Sequence, residues 1–577
     1  MTSRARGCVA LVGLAAALAL PASAWAHAAL LRTTPVASRV VNTPPTQVTL
    51  TYSEAVEPRF AVVSVTDAGG VRETTGAPGR SSANPDTLVV PLRRLPEGWY
   101  LVYWRVISVD GHPVRGAFTF AVGPNAGPAP QFVIPSISES AATPKLVTAR
   151  WAAFLTAMAA IGLFVLRILI ARPLVARVAG TRLRAVTIAF GIASVLALVA
   201  IPVYFMLATA EFALRSFWSF GALIPLVRVS AFGRGWVDLW IVFALFVFAG
   251  GIAIWLDRPD RRERSIGALL ALGGALAAAG AVLLVPGLAG HAAQTSPRGL
   301  SIAFDWLHLV AGAVWIGGLI GLLVLWRSLP SARRVAGLVV CVPRFSNVAF
   351  VSVLALLGSG IGASVIHLPT LASLWQTSYG KAIVVKVGLL AAALMLASVN
   401  LLRTKPHLVA SRQRPALGPP AAILLRRLIS GETVLIAGAV CAAAVLSSLA
   451  PPSKALASVG HASAHVGPGK VVQVVDQNGY RLEVLVDPNK AAVPNDFGIK
   501  ITRGGKPVRG ADVTTNFAML DMEMGQQAYH LTETSPGVYS RSSTPALVMV
   551  GHWGISFQVT PRGGRPFTVL IVDHATG

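Results

Sequence analysis

Cysteine and acidic side chains are scarce in this 577-residue chain, with three Cys and with 24 Asp plus Glu against 49 Lys plus Arg. Cys8 lies in the leading stretch, Cys341 near the start of the sixth apolar run and Cys441 within the eighth, so no disulfide can staple an exported domain. Charged residues are only 13% of the chain and apolar residues 54%, which excludes a single soluble domain. No methionine occurs between Met1 and Met158. There is also no G-x-x-x-x-G-K-[ST] phosphate loop, so nothing points to a nucleotide-driven pump. The net charge of +25 invites a nucleic-acid reading, but the basic residues sit between apolar runs instead of forming one patch, and no nucleic acid is expected.

What the chain has in plenty is apolar length. Eight runs of membrane-spanning size lie near 150–170, 184–209, 236–256, 266–290, 302–327, 345–367, 380–402 and 428–450. Arginines crowd the connections after runs 1, 3, 5 and 7: Arg172, Arg177 and Arg182; Arg258, Arg261 and Arg264; Arg327, Arg333 and Arg334; Arg403, Arg412 and Arg414. The positive-inside rule places those connections in the cytoplasm and both soluble ends outside. The expectation is a multi-pass protein of the bacterial cytoplasmic (inner) membrane, in contact with the lipid bilayer, with both soluble domains extracytoplasmic.

Residues 1–26 have the parts of a signal peptide: Arg4 and Arg6, an apolar run from Val9 to Leu20, Pro21, then Ala24-Trp25-Ala26. Cleavage there makes His27 the first mature residue, whose free amine and imidazole together chelate Cu(II). Asp110 and His112, two apart in Ser108-Val109-Asp110-Gly111-His112, point to one side of an extended segment and complete an N,N,N,O set. Aromatic and β-branched runs on either side, from Trp99 to Val106 and from Phe118 to Val122, read as strands around a turn at Asp110-Gly111. Segments 124–149 and 451–469, rich in proline, read as linkers.

The stretch 27–123 resembles the CopC family through His27-Ala28, Thr34-Pro35, Leu50-Thr51-Tyr52-Ser53-Glu54 and Ser108-x-Asp110-Gly111-His112 ahead of Gly116-x-Phe118-x-Phe120. The resemblance implies an immunoglobulin-like β-sandwich holding Cu(II) through His27, Asp110 and His112. Without methionines it is expected to lack the Cu(I) site of some family members. Residues 150–450 resemble the CopD family through Gly290-His291-Ala292, Asp305-x-x-His308-x-x-x-Gly312-x-x-Trp315-x-Gly317-Gly318, and Gly358-x-Gly360 ahead of His367. That resemblance implies a polytopic protein associated with copper uptake into the cytoplasm.

Within the bilayer the polar residues cluster toward the outside. His308 is the leading candidate on a copper route, with Asp305 three residues away on the same helix face. Asp305 is read either as orienting the imidazole or as its structural partner. His291, His367, Met158 and Met206 lie at similar outer depths, and every intramembrane histidine or carboxylate is expected in the outer half. Deeper in, Cys441, Met395 and Lys386 stand out, and a soft relay through Cys441 and Met395 would suit Cu(I). Gly317 and Gly321 form a small-xxx-small pair for close helix approach.

Residues 470–577 carry alternating strand patterns and resemble YtkA-like domains through Met519-Leu520-Asp521-Met522-Glu523-Met524 and the later Gly-x-Trp strand. Met519, Met522, Met524, His530, Met549 and His552 are the candidates for a Cu(I) site there. The whole is expected to be a multidomain membrane protein with an N-terminal immunoglobulin-like β-sandwich, an eight-helix transmembrane α-bundle and a C-terminal small β-sandwich. It is read as a copper-handling importer and not an enzyme, receiving copper from periplasmic chaperones. Two alternatives stay open: periplasmic copper sequestration for resistance without transport, and a haem-binding electron-transfer or metal-reducing bundle.

Overall fold

The computed structural model describes residues 28–576 apart from 29, 38, 53–54, 108–112, 127–142, 214–215, 219, 260, 262, 294, 296, 369, 372, 377, 450–461, 492, 521–526, 545 and 549. The described residues of the N-terminal part form eight strands: β1 (Leu30–Thr34), β2 (Val40–Val41), β3 (Gln47–Tyr52), β4 (Val62–Asp67), β5 (Gly79–Arg80), β6 (Thr87–Pro91), β7 (Gly98–Ile107) and β8 (Pro113–Val122). They form two four-stranded sheets, β1-β3-β6-β5 and β2-β8-β7-β4. Alternation along β3, β7 and β8 sends Leu50, Tyr52, Val102, Trp104, Phe118 and Phe120 into one core between the sheets. The Tyr52 and Trp104 rings meet edge to face at 5.6 Å between centroids.

Strand β7 is buried on both faces, because its outward side is covered as well: Leu101, Tyr103 and Arg105 are buried. The Arg105 guanidinium donates to the Phe212 carbonyl of the helical part at 3.1 Å. On β8 the Ala117 N–H donates to the Val548 carbonyl of the C-terminal part at 3.1 Å. Phe60 and Ile107 share an apolar cluster with Leu146 at the head of the first long helix. The N-terminal sheets are therefore docked on the bundle.

Among the described residues eight long helices follow: α1 (Pro144–Val165), α2 (Arg184–Phe212), α3 (Ala231–Leu256), α4 (Ile266–Ala289), α5 (Arg298–Ser328), α6 (Ser331–His367), α7 (Ser378–Val399) and α8 (Gly418–Leu446). All eight are long and apolar enough to cross a membrane. Since α1 starts beside the N-terminal sheets, odd-numbered helices run away from that side and even-numbered ones return to it. Two π-helical segments, Leu166–Ala171 and Asn400–Thr404, extend α1 and α7 at the far side.

Helices α1 and α5 form the centre. Gly162 faces Gly317 so closely that a Cβ at Gly162 would lie 2.7 Å from the Gly317 Cα, and one at Gly321 would meet Leu166 at 2.8 Å. A ring cluster of Phe164, Phe190 and Phe246 ties α1, α2 and α3, with centroids 5.7–6.0 Å apart. Two charged clamps close the ends. On the far side Asp257 receives Arg167 and Arg172 at 3.1 Å and Arg264 at 3.3 Å. On the near side the buried Arg150 bonds Tyr204, Ser447 and Ser448.

The C-terminal part is one curled ten-stranded sheet: β9 (Ala464–Val466), β10 (Val471–Gln477), β11 (Tyr480–Asp487), β12 (Asn495–Arg503), β13 (Lys506–Pro507), β14 (Asp512–Met519), β15 (Gln527–Ser535), β16 (Val538–Thr544), β17 (Gly551–Thr560) and β18 (Phe567–Ala575). Its order, β10-β11-β12-β16-β15-β14-β17-β18-β9 with β13 on β12, folds two halves over one core that includes Phe497, Phe517, Trp553 and Phe557. The two layers of this small sandwich are continuous through β14, β15 and β16.

Candidate functional site

Helix α5 carries Asp305 and His308 in the third of its length nearest the β domains, with Trp306 donating to the Gly280 carbonyl of α4 at 2.9 Å to fix its rotation. His308 faces α6 and α7. Its Nδ1 lies 3.2 Å from the Ser359 Oγ on α6, and its Nε2 lies 3.2 Å from the Lys386 Nζ on α7. An ammonium only donates, so Nε2 is the acceptor and the ring proton sits on Nδ1. Ser359 passes its own hydroxyl to the Leu356 carbonyl at 3.2 Å. Gly360 allows this approach: a Cβ there would stand 3.3 Å from the His308 Cε1.

Asp305 is neither the orienting partner of the imidazole nor its structural mate. The carboxylate packs on α4, where a Cβ at Gly287 would lie 3.0 Å from it. Three residues on a helix turn the side chain by about 60°, enough to send the two groups to different neighbours. Lys386 and Tyr379 both lie near enough to Asp305 to feel its charge. The sequence singled out Lys386 by depth but gave it no partner.

The other candidates form a loose ladder. His367 closes α6 seven residues beyond Gly360, which is about 10 Å along the same face. Its Nδ1 donates to the Ala363 carbonyl at 2.8 Å, and its Nε2 stands 3.3 Å from the Thr295 hydroxyl. Met158, buried on α1, points at Gly312, one turn inward of His308 on α5, so that a Cβ there would meet the Met158 Cε at 2.8 Å. Met206 lines a recess at the near end of α2 with Thr209, Phe217 and Leu223. Backbone at His291 forms a short 3-10 turn after α4, and its side chain lies outside the described residues.

Two expectations about the deeper bundle change. Met395 is 66% exposed on the bundle surface, so it cannot join Cys441 in an interior relay. Glu432 on α8 is a buried carboxylate in the far half, hydrogen-bonded by the Asn400 amide at the start of the π-helical segment of α7. The intramembrane polar groups therefore do not all lie in the outer half. Among the described residues no group of three or more His, Cys, Asp or Glu converges on one point, so the bundle offers successive single donors instead of a closed cage.

His27, Asp110 and His112 lie outside the described residues. The residues flanking 108–112 are described: Ile107 belongs to the same apolar cluster as Leu146, and Pro113 pairs with Ile107 in the hairpin. In the C-terminal part Met522, Met524 and Met549 are also outside the described residues. Met519 is 2% exposed in the core, opposite Trp553. His530 pairs across from Thr514 and meets Asp512 at 3.2 Å, whereas His552 lies at the other end of β14, next to Leu520. Six residues of strand separate those levels, about 20 Å, so His530 and His552 do not share a site. His552 instead stacks on His574 at 4.7 Å, a cross-strand pairing that the alternating run from Phe567 to Ala575 carries in its sequence.

The CopC domain family matches residues 30–123, the family described as copper resistance protein D matches 339–446, and the YtkA-like family matches 475–558. The middle match takes in Ser359, His367, Lys386 and Glu432 and starts beyond Asp305 and His308. The copper transport protein CutJ of Bacillus subtilis (strain 168) is 24% identical over 546 residues, 93% of this chain and 93% of CutJ. Protein YobA of Escherichia coli (strain K12) is 39% identical over 124 residues, 21% of this chain and 99% of YobA. Copper resistance protein C of Xanthomonas campestris pv. juglandis is 36% identical over 117 residues, 19% of this chain and 91% of that protein.

Proposed function

The chain belongs to the fused CopC–CopD copper proteins and ends in a YtkA-like domain, and from that premise we propose that it captures copper outside the cytoplasmic membrane and carries it inward. In this reading His27, Asp110 and His112 hold Cu(II) at the outer face, a set whose nitrogen and carboxylate donors fit that ion. The observation that carries the transport half is the position of His308. One imidazole stands where α5, α6 and α7 meet, two turns inside His367 and one turn outside Met158. Imidazole followed by thioether is a sequence of donors that a copper ion can descend as Cu(I), the captured Cu(II) first taking one electron from a reductant outside the chain, such as a thiol or a quinol.

The N-terminal sheets dock on the bundle through Arg105, and Ile107 shares the bundle's apolar cluster, which favours hand-over from that domain to the bundle. The arginine-rich connections belong in the cytoplasm, which puts both β domains outside and lets periplasmic copper chaperones reach them. The membrane potential then favours inward movement of a cation by about 2.3 kcal/mol per charge per 100 mV, with no nucleotide needed. A haem reading asks for two facing imidazoles at one depth, and His308 faces Ser359 and Lys386 instead.

The test is cytosolic copper in copper-limited cells carrying the intact protein, the His308→Ala variant or an empty vector. Import predicts a rise with the intact protein that the variant loses. Copper held in the periplasmic fraction with no cytosolic rise would overturn transport and leave sequestration.

A further inference from the structure

A lysine eight residues into an apolar helix normally snorkels its head toward the nearer surface. Lys386 does not. It turns inward and donates to the Nε2 of His308 at 3.2 Å, although the Asp305 carboxylate is close enough to feel its charge. The His308 ring is fully arranged around this contact. Ser359 anchors Nδ1, Gly360 presses against Cε1, and the remaining nitrogen, the one with the free electron pair a metal ion needs, is pointed at an ammonium.

We propose that the Lys386 ammonium is the resident cation of the His308 position, which a soft monovalent metal ion replaces by taking the Nε2 electron pair while the ammonium swings to Asp305. The proposal rests on reading His308 as a stop for copper. The exchange balances without redox or proton transfer: one N–H···N hydrogen bond breaks, one metal–nitrogen bond forms, and the ammonium keeps its protons and its charge in an ion pair with the carboxylate. It also gives the position a selectivity. Hard monovalent ions bond imidazole poorly and cannot lift the lysine, so the pathway stays closed to them, whereas Cu(I) or Ag(I) can. Asp305 is then the alternative seat for a displaced positive charge, which is why it packs on α4 instead of on the imidazole.

The experiment measures Cu(I) binding to the purified full-length protein in detergent by competition with bicinchoninate, for the wild type, Lys386→Met, Asp305→Asn and the double variant Lys386→Met/His308→Ala. Size-exclusion profiles check that each variant folds. The His308-dependent component is expected to tighten at least tenfold in Lys386→Met, since no ammonium has to leave, and to weaken in Asp305→Asn, since the ammonium has nowhere to go. Opposite signs from two substitutions in one cluster are not what loss of packing produces, and Asp305→Asn keeps the test open should Lys386→Met not fold. If Lys386→Met tightens nothing while the double variant still loses binding, the lysine proposal falls and His308 stands as a ligand. If Lys386→Met and the double variant bind Cu(I) equally, His308 is not a stop and both readings fall.

Discussion

The α1–α5 contact that holds His308 in place makes a sharp prediction from two identical substitutions. In Gly162→Ala the new methyl would meet the Gly317 Cα at 2.7 Å and its N at 3.0 Å, and would press on the Ala313 carbonyl as well. All three are backbone atoms, so no side chain can move aside, and the carbon–carbon gap is about 1 Å short of the optimum. The helices must part, at the upper end of overpacking costs, about 3 kcal/mol. In Gly273→Ala on α4 nothing lies within 4 Å of the new methyl. Both substitutions gain the same helix propensity, about 1 kcal/mol, so that contribution cancels in the comparison and the difference reports the clash alone. Unfolding of the purified protein in mixed micelles with increasing dodecyl sulfate, followed by tryptophan fluorescence, is expected to show Gly162→Ala less stable than Gly273→Ala by about 3 kcal/mol. Equal stabilities, or a more stable Gly162→Ala, would refute the argument that α1 and α5 touch backbone to backbone.

Asp257→Ala leaves the guanidinium groups of Arg167, Arg172 and Arg264 uncompensated at the far side. A loss of about 3 kcal/mol in the same unfolding assay is expected, and no loss would mean that those arginines reach water on their own. Arg105→Met removes a charged donor from the Phe212 carbonyl, which is expected to weaken docking by about 2 kcal/mol. Hydrogen exchange should then accelerate on the outward residues of β7 and β8 while the sandwich core stays protected. Glu533 accepts from the Gly537 and Gly510 N–H groups, both at 2.9 Å, which hold its carboxyl below the usual range. A depressed acid stabilises the fold above the ordinary carboxylate value near pH 4.3, and that contribution is lost as pH falls through the folded-state value. Glu533→Gln should therefore flatten the acid limb of hydrogen-exchange protection in the β15–β16 hairpin, and an unchanged acid limb would contradict this.

Spans, strands and the glycine contacts were legible because each leaves a periodic or length signal along the chain. The eight apolar runs match the eight long helices to within a few residues, except where α6 begins at Ser331 instead of near residue 345 and α8 at Gly418 instead of near residue 428. Arg426 and Arg427 read as loop, yet the helix continues through them, and the Arg426 guanidinium lies 5.8 Å from the centre of the Trp326 ring. That shift buries Glu432 deeper than its sequence neighbourhood suggested. Lateral partners left no such signal. Ser359 and Lys386 are 51 and 78 residues from His308, and only the order of helices in the bundle brings them to it. Depth along a helix follows from counting residues, whereas facing depends on neighbours the count does not contain, which is also why Met395 turned out to face outward.

Helix α7 and its π-helical extension carry two interior polar contacts, Lys386 against His308 and Asn400 against Glu432, with 14 residues, or about 20 Å, between them. The two levels differ in chemistry. The near one offers imidazole nitrogen with a thioether a turn away, donors that suit Cu(I); the far one offers a carboxylate and an amide, oxygen donors that suit a hard cation. A single soft ion passing from the near level to the far one would leave ligands that favour it for ligands that do not, so affinity falls toward the side away from the β domains. On the proposed import reading this donor order favours release on that side, and the membrane potential would carry the charge across the remaining apolar length.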